Sequence, residues 1–267
     1  MVLWNAPAST GRIAHVAQQQ RVALVTGASR GIGAAIARKL ASSGASVVLA
    51  ARTLADSERV AHEIRAAGGV AGAIELDVAD PASIASCTRA ATERFGAIDW
   101  LVNNAGIAVS APLLGGDELY ERHMRVNFHG ARRMIEALLP AMKTRGYGRI
   151  VNIASSAALH GARYIAAYAA SKHALLGYTR CAALELEGSG VAITALCPHY
   201  VDSPMTDEAV RRVTKKTGVS EAESRAWFAT QNPGGRLITL DEVAASAVDL
   251  LEHGVNGAIR ELDGASK

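Results

Sequence analysis

Short apolar runs alternate with longer helical patterns through most of this 267-residue chain. The first two runs, residues 22–25 and 47–50, are apolar throughout, and each is followed by a segment with helical spacing that ends at glycine. Strands that are apolar on both faces and are separated by helices indicate a parallel sheet covered on both sides. The pattern therefore predicts an α/β fold.

Five further runs complete the predicted sheet of about seven strands, at residues 71–76, 98–102, 149–153, 191–196 and 258–262. No linker or internal repeat interrupts them, so we predict one doubly wound Rossmann-fold domain over residues 21–267. Residues 1–20 are predicted to be a flexible N-terminal extension. Residues 203–236 show no strand pattern, although a capping box at 220–223 predicts a short helix there. Such a long excursion is typical of an active-site lid.

Composition excludes several classes of protein. The net charge is only +3, which is too small to favour nucleic acid or a membrane surface, and no apolar run approaches the ~20 residues of a membrane span. Cys87, Cys181 and Cys197 lack metal-ligand or CxxC spacing, so they are interpreted as small buried residues of a protein from a reducing compartment. We expect a cytoplasmic protein that binds a small molecule and no metal.

A glycine-rich turn follows the first strand and precedes a helix, which is where a dinucleotide-binding turn lies. Glycine lets the backbone approach a pyrophosphate, whose charge then meets the helix N-terminus. The Gly-x-x-x-Gly-x-Gly spacing is not the commonest version, and a plain turn is the alternative. The residues predicted to bind cofactor here are Gly27, Ser29, Arg30, Gly31, Ile32 and Gly33.

The end of the second strand predicts which nicotinamide cofactor is used. An acidic residue about twenty positions after the glycines would bind the ribose hydroxyls of NAD, whereas arginine suits the 2′-phosphate of NADP. Arg52 occupies this region, and Arg30 could supply a second guanidinium. NADP(H) is therefore favoured and NAD(H) is the alternative. A solvated Arg52 at the start of a helix is the simpler interpretation.

Tyr168 and Lys172 are four residues apart, so on a helix they share one face. A nearby ammonium lowers the pKa of a phenol from its ordinary value of about 10. Ser155, thirteen residues before Tyr168, could donate a hydrogen bond to a substrate carbonyl. These residues predict proton transfer to or from a carbonyl oxygen, with Tyr168 as acid or base.

Together these motifs resemble the short-chain dehydrogenase/reductase family from about residue 21 to the end. The motifs that carry the resemblance are Thr26-Gly-x-x-x-Gly-x-Gly33, Leu76-Asp77-Val78, Asn103-Asn104-Ala105-Gly106, Asn127, Ser155 and Tyr168-x-x-x-Lys172. The resemblance implies an oxidoreductase that interconverts a ketone and a secondary alcohol. It also implies a homotetramer or homodimer that pairs through the alanine-rich helix at 168–187.

The resemblance assigns roles residue by residue. The implied catalytic set is Asn127, Ser155, Tyr168 and Lys172. Tyr168 and Lys172 would also touch the cofactor, and Asn127 would hold a water that joins the lysine to a proton relay. The other implied cofactor contacts are Asp77, Val78, Asn104, Ala105, Gly106, Pro198, Val201 and Ser203.

The substrate end departs from the family pattern. His199 stands where the family has glycine, so the backbone there must accept a side chain. We predict Ser155, His199 and Met205 as substrate contacts, with a structural role as the alternative for His199. Trp227 and Phe228 could add an apolar wall. Four lid cations, interpreted either as a site for an anionic group or as a solvated helix face, are Arg211, Arg212, Lys215 and Lys216.

Two other functions remain open. A 3-oxoacyl (carrier protein or CoA) reductase is one, although the Ser189-Gly190-Val191 turn lacks the arginine often found there in carrier-protein reductases. A non-catalytic dinucleotide sensor on the same fold is the other. Such sensors commonly lose the tyrosine or the lysine, and this chain has both.

Overall fold

The computed structural model describes residues 20–265, so the predicted N-terminal extension lies almost entirely outside the described residues. A sheet of seven parallel strands forms its centre. The strands are β1 (Val22–Thr26), β2 (Ser46–Ala51), β3 (Val70–Glu75), β4 (Trp100–Asn103), β5 (Gly148–Ile153), β6 (Val191–Pro198) and β7 (Ile259–Leu262). The predicted α/β sheet of about seven strands is confirmed.

The strands lie in the order β3-β2-β1-β4-β5-β6-β7. The order reverses between β1 and β4, whose register pairs Ala23 with Trp100 and Val25 with Val102. In a parallel sheet the loops on either side of such a reversal diverge and leave a crevice at the carboxyl ends of the strands. The sheet is therefore a Rossmann sheet, as predicted.

Helices cover both faces of the sheet, as the apolar strands require. They are α1 (Gly31–Ser42), α2 (Leu54–Ala66), α3 (Pro81–Phe95), α4 (Asp117–His123), α5 (Ala131–Arg145), α6 (Ala166–Glu185), α7 (Pro204–Thr217), α8 (Glu221–Thr230) and α9 (Leu240–His253). The apolar sides of α1, α2 and α9 form one core, and those of α3, α5 and α6 form the other.

Capping residues determine where several helices begin. Asp80 accepts hydrogen bonds from the Ala82 and Ser83 amides at the start of α3, with proline at the first helical position. The predicted capping box is present at Ser220 before α8, and a second capping box lies at Thr239 before α9. The four lid cations lie on α7, whose bounds were not predicted and which is capped by Ser203. The lid segment is thus a pair of helices.

A π-helical segment, Met124–Gly130, joins α4 to α5 without a break. Asn127 lies in this segment, where the pattern predicted ordinary helix. The wider turn of a π-helix displaces side chains from their normal spacing, and such segments are frequent at functional sites.

Two features bear on the composition arguments. Within residues 20–265, no helix is both long enough and apolar enough to cross a membrane. Cys87 and Cys197 are buried as expected, but Cys181 is exposed on α6, so the interpretation of all three cysteines as buried residues is wrong for Cys181.

Close packing at Gly33 generates a stability prediction. A methyl group there would lie 2.4 Å from the Gly27 carbonyl oxygen and 2.5 Å from Asn104 Nδ2. We expect Gly33→Ala to lower the free energy of unfolding by about 1–3 kcal/mol, as overpacking does, measured by urea titration. Gly161→Ala is the control, because nothing lies within 4 Å of its added methyl group. Equal stabilities of the two variants would contradict the packing role.

Candidate active site

A groove of about 1570 Å³ runs along the carboxyl ends of β1, β4, β5 and β6. Its lining contains most of the residues predicted to bind cofactor: Gly27, Ser29, Arg30, Gly31, Ile32, Arg52, Asp77, Val78, Asn104, Ala105, Gly106, Pro198, Val201 and Ser203. Ser155, Tyr168, His199 and Met205 line the same groove. Gly33, Asn127 and Lys172 are not among its lining residues.

The N-terminus of α1 opens onto this groove without a side-chain cap. Arg30 is the N-cap residue, its side chain makes no capping hydrogen bond, and the first turn holds no acidic residue. The first amides of a helix have no partner within the helix and carry partial positive charge. Gly27 and Gly31 adopt positive φ angles of 64° and 55°, which let the turn bring these amides to the groove. The turn therefore fits a dinucleotide pyrophosphate.

Asn104 joins the glycine-rich turn to the end of β4. Its side-chain Nδ2 donates to the Thr26 and Gly27 carbonyl oxygens at 2.9 and 3.1 Å, and the Thr26 hydroxyl accepts from the Asn104 and Ala105 amides at 3.0 Å each. Gly33 packs against this joint, so its role is to let α1 approach rather than to line the groove.

The two arginines predicted to bind a 2′-phosphate have different surroundings. Arg52 is exposed, lines the groove and forms no ion pair among the described residues. Arg30 also lines the groove, but its guanidinium lies 3.4 Å from Glu208 of α7. Asp56, in the first turn of α2, lines the same end of the groove. Positive charge there thus comes mainly from Arg52.

Lys172 is almost fully buried on α6, with 5% of its surface exposed. Its Nζ donates to the Ile153 carbonyl oxygen at 2.8 Å and lies 5.9 Å from the centre of the Tyr168 ring. The predicted i, i+4 arrangement therefore places both groups at the end of β5. Ser155 follows β5 on the same side, and its hydroxyl accepts from the Ala157 amide at 3.1 Å.

Burial controls the charge states at this end of the groove. Desolvation raises the pKa of Tyr168 above its ordinary value, and a hydrogen bond with the Ser155 side chain opposes the shift. The expectation that Lys172 lowers the pKa of Tyr168 is therefore not met by the protein alone. Desolvation also lowers the pKa of Lys172 to about 8 and raises that of Cys197 to about 11. Cys197 is thus a neutral thiol at neutral pH.

Asn127 braces the wall of the groove. Its Oδ1 accepts from the Ile107 amide at 2.8 Å, and its Nδ2 donates to the Ile107 carbonyl at 3.0 Å and to the Ser171 hydroxyl at 2.9 Å. A methyl group on Gly106 would lie 3.2 Å from Asn127 Oδ1 and 3.7 Å from Lys172 Nζ. Asn127 therefore lies beside the lysine, and its side chain holds the loop after β4.

His123 is a site residue that the sequence analysis missed. It is fully buried, its Nε2 accepts from the Val109 amide at 3.1 Å, and its Nδ1 lies 2.8 Å from the Leu119 carbonyl oxygen. These partners define the neutral tautomer with the proton on Nδ1. The ring meets the Tyr168 ring edge-on at 6.3 Å. Its position four residues before Asn127, on the same helical face, was the available signal.

His199 has a structural partner that its sequence position did not show. Its Nε2 lies 2.6 Å from Glu261 Oε1 on β7, and His160 Nε2 lies 3.3 Å from the same oxygen. Its φ angle is not positive, because Tyr164 is the sole non-glycine residue with positive φ between residues 20 and 265. A side chain therefore fits where the family has glycine. The imidazole lines the groove and is 12% exposed.

The lid supplies an apolar side to the substrate end. Phe228 is buried, and its ring packs against Tyr200 and Trp227 at centroid distances of 4.9 and 5.0 Å. Trp227 and Met205 line the groove and are half exposed. Ser203 also lines the groove, where its hydroxyl accepts from the Thr206 amide at 3.5 Å. Among the described residues, no His, Cys, Asp or Glu cluster is arranged to hold a metal ion.

Known proteins are similar to this chain in sequence and in fold. The family model described as short chain dehydrogenase matches residues 21–214. A monensin polyketide synthase putative ketoacyl reductase of Streptomyces virginiae is 41% identical over 229 residues, or 84% of this chain and 87% of the relative. Galactitol 2-dehydrogenase of Agrobacterium fabrum is 38% identical over 232 residues, or 86% and 90% of the two chains.

A solved structure agrees with the sequence relatives. An actinorhodin polyketide ketoreductase variant with NADPH superposes with a TM-score of 0.88 at 35% identity, covering 92% of this chain and 96% of that chain. The family match, the relatives and the shared fold lead to one conclusion. The chain is a member of the short-chain dehydrogenase/reductase family of oxidoreductases.

Proposed function

We propose that this protein is an NADP(H)-dependent oxidoreductase that interconverts a ketone and a secondary alcohol. The observation that carries the proposal is the convergence of Ser155, Tyr168 and Lys172 at one end of a groove whose other end is the uncapped N-terminus of α1. A dinucleotide seated on α1 would bring its nicotinamide toward this end. When bound, NADPH supplies the hydride that adds to the carbonyl carbon.

The protein's own residues handle the carbonyl oxygen. In this proposal the Ser155 hydroxyl donates a hydrogen bond to this oxygen, and Tyr168 donates the proton in reduction and accepts it in oxidation; both residues line the groove. Reduction requires the neutral phenol, which burial favours. The phenolate left behind is stabilised by the Lys172 ammonium, which the Ile153 carbonyl oxygen orients by accepting a hydrogen bond.

The preference for NADP(H) follows from the charge at the adenosine end. Arg52 faces the groove with no acidic partner among the described residues, so it can form a bidentate contact with a 2′-phosphate. Solved relatives support this choice: an L-sorbose reductase was crystallised with NADPH, and a putative gluconate 5-dehydrogenase carries bound NADP. Asp56 would instead favour NAD(H), which makes Arg52 the residue to test.

A 3-oxoacyl reductase is the second candidate, favoured by relatives named as putative ketoacyl reductases. Both candidates use the same residues at the carbonyl and differ only in the group attached to it. Turnover of a 3-oxoacyl thioester with much higher kcat/KM than simple ketones would select this candidate. A dinucleotide sensor would show NADPH binding without turnover of any carbonyl compound.

We also propose that α6 pairs with a second copy of the chain. Leu184 is 69% exposed, Cys181 is exposed one turn before it, and Ala170 is exposed near the start of the same helix. Burying these residues between two copies would remove apolar surface from water. Sedimentation of the full chain as a monomer would contradict the dimer or tetramer.

The acid–base role of Tyr168 predicts the effect of removing one oxygen. Tyr168→Phe should lower kcat for ketone reduction by about 10²–10⁴-fold, because general acid catalysis is lost, while NADPH affinity changes little. Stopped-flow absorbance at the NADPH band and fluorescence titration measure the two effects. Tyr178→Phe, on the same helix but away from the groove lining, is the matched control. Near-normal kcat in Tyr168→Phe would refute the assignment.

The proposed 2′-phosphate contact predicts a change of cofactor preference. Arg52→Asp should lower kcat/KM for NADPH by about 10–100-fold, the usual value of a charge-assisted contact, and raise that for NADH. The control is Arg59→Asp, which makes the same charge change on α2 at a residue paired with Glu63 outside the groove. If both variants keep the original NADPH to NADH ratio, Arg52 does not bind the phosphate.

The lowered pKa of Lys172 predicts the alkaline limit of reduction. Deprotonating this lysine removes the charge that stabilises the phenolate, so kcat/KM for NADPH should fall through a pKa of about 8. Below that pH, Lys172 is charged and Tyr168 is neutral, which is the active combination. Lys172→Arg keeps its charge at higher pH and should move this limit upward. An unmoved limit would show that another group titrates.

A further inference from the structure

Three cations from separate segments surround the substrate end of the groove. They are Arg122 on α4, Arg163 in the loop before α6 and Lys216 near the end of α7. All three are exposed and line the groove, and none forms an ion pair within residues 20–265. We call these three residues the cationic rim.

The four lid cations differ in whether they line the groove and in whether they have an acidic partner. Arg212 lines the groove, but it pairs with Glu208 one helical turn earlier. Arg211 and Lys215 do not line the groove, so for them the solvated helix face is the correct interpretation. Lys216 alone combines a position at the groove with the absence of a described acidic partner.

In the part of the chain that the structure describes, a single carboxylate shares the substrate end of the groove with the three cations of the rim. Asp56 and Asp77 are at the cofactor end, and Glu223 is the one carboxylate among the described lining residues of the substrate end. Glu223 is already bonded to Ser220, accepting from its amide at 3.1 Å and from its hydroxyl at 2.6 Å. The mouth of the groove therefore carries a local excess of positive charge, and the walls of a cleft focus such a field.

Tyr164 is the aromatic neighbour of Lys216. It has a φ angle of 67°, a conformation that is uncommon for non-glycine residues. Its carbonyl accepts from the Ala111 amide at 2.8 Å, and its exposed ring lies 5.6 Å from Lys216 Nζ. A cation held over an aromatic face stays near the ring, so the ammonium is kept at the mouth of the groove.

We propose that the substrate is an oxo or hydroxy compound that carries a carboxylate or phosphate group, and that Lys216, Arg163 and Arg122 bind this group. The inference rests on the proposed function, because it assumes that the carbonyl lies at Ser155 and Tyr168. Trp227 and Met205 then contact the apolar part of the molecule between its two polar ends. The shared recognition chemistry is an anionic group at a fixed distance from the carbonyl.

Paired probes that differ only in charge test this inference. The carboxylate probes are 4-oxopentanoate and 5-oxohexanoate, each compared with its methyl ester, and the phosphate probe is dihydroxyacetone phosphate compared with dihydroxyacetone. At low ionic strength we expect kcat/KM with NADPH to be at least about tenfold higher for the charged member of the best pair. Added salt should reduce this ratio, because ions screen exposed charges. The pair with the largest ratio distinguishes carboxylate from phosphate.

Variants locate the effect. Lys216→Met and Arg163→Gln should each raise KM for the preferred anionic probe by about tenfold and leave kcat and the kinetics of the neutral partner within twofold. Lys215→Met, the adjacent lysine outside the groove lining, removes the same charge and should change neither. Equal effects of Lys216→Met and Lys215→Met would show that net charge alone matters, and would overturn the proposal.

Direct binding separates this inference from the proposed function. The melting temperature of the NADP-loaded chain is measured with and without each anionic probe, and we expect a rise that Lys216→Met abolishes. Reduction of neutral probes without any preference for anions would overturn the inference that the rim binds an anionic group, and would leave the proposed reductase activity supported. Binding of an anionic probe that depends on the rim residues, without turnover of any probe, would support the anion-binding inference and contradict the proposed reductase activity. Neither turnover nor binding would overturn both.

Discussion

The hydrogen bonds between Asn104 and the Thr26–Gly27 turn are the joint on which the site depends. They connect the loops after β1 and β4, at the one place where the strand order reverses. The loops of a parallel sheet diverge there and leave a crevice. These hydrogen bonds set the width of the crevice. The amides of α1 on one side and the loop carrying Gly106 on the other therefore face each other at a fixed separation. The groove is a consequence of the topology, and the joint holds its geometry.

The two ends of the groove differ in their exposure to solvent, and this difference determines the charge states of their side chains. The cofactor end is open and lined by uncapped amides and an exposed guanidinium, which suits a charged ligand that brings its own hydration. At the other end, desolvation raises the pKa of Tyr168 and lowers that of Lys172 toward neutrality. The protein without cofactor thus keeps the Tyr168 phenol neutral, beside a Lys172 ammonium that loses its proton more easily than an ordinary lysine. His123 and Asn127 preserve this arrangement by bonding the loop that covers it.

Local sequence patterns predicted much of this structure, and long-range contacts account for what they did not. Apolar runs predicted the strands because strands buried on both faces need no alternation, and the position of the glycines predicted the tight turn before α1. The partner of His199 is Glu261, sixty-two residues away, which no local pattern encodes. The π-helical turn around Asn127 depends on packing, and the start of α7 depends on a cap at Ser203 that the sequence analysis did not identify. Burial of Tyr168 reversed the expected direction of its pKa shift, since proximity to a cation was visible in sequence and desolvation was not.

Hydride transfer to a carbonyl carbon, with proton delivery by Tyr168, is the central claim, and isotope transfer tests it most directly. The full chain is incubated with a ketone probe and NADPH deuterated at one or the other face of nicotinamide C4, and the product is analysed by mass spectrometry and NMR. The account predicts deuterium on the carbinol carbon from one labelled face only, with the hydroxyl proton derived from solvent. An alcohol product without deuterium from either cofactor, or cofactor that stays reduced beside every carbonyl probe, would contradict it.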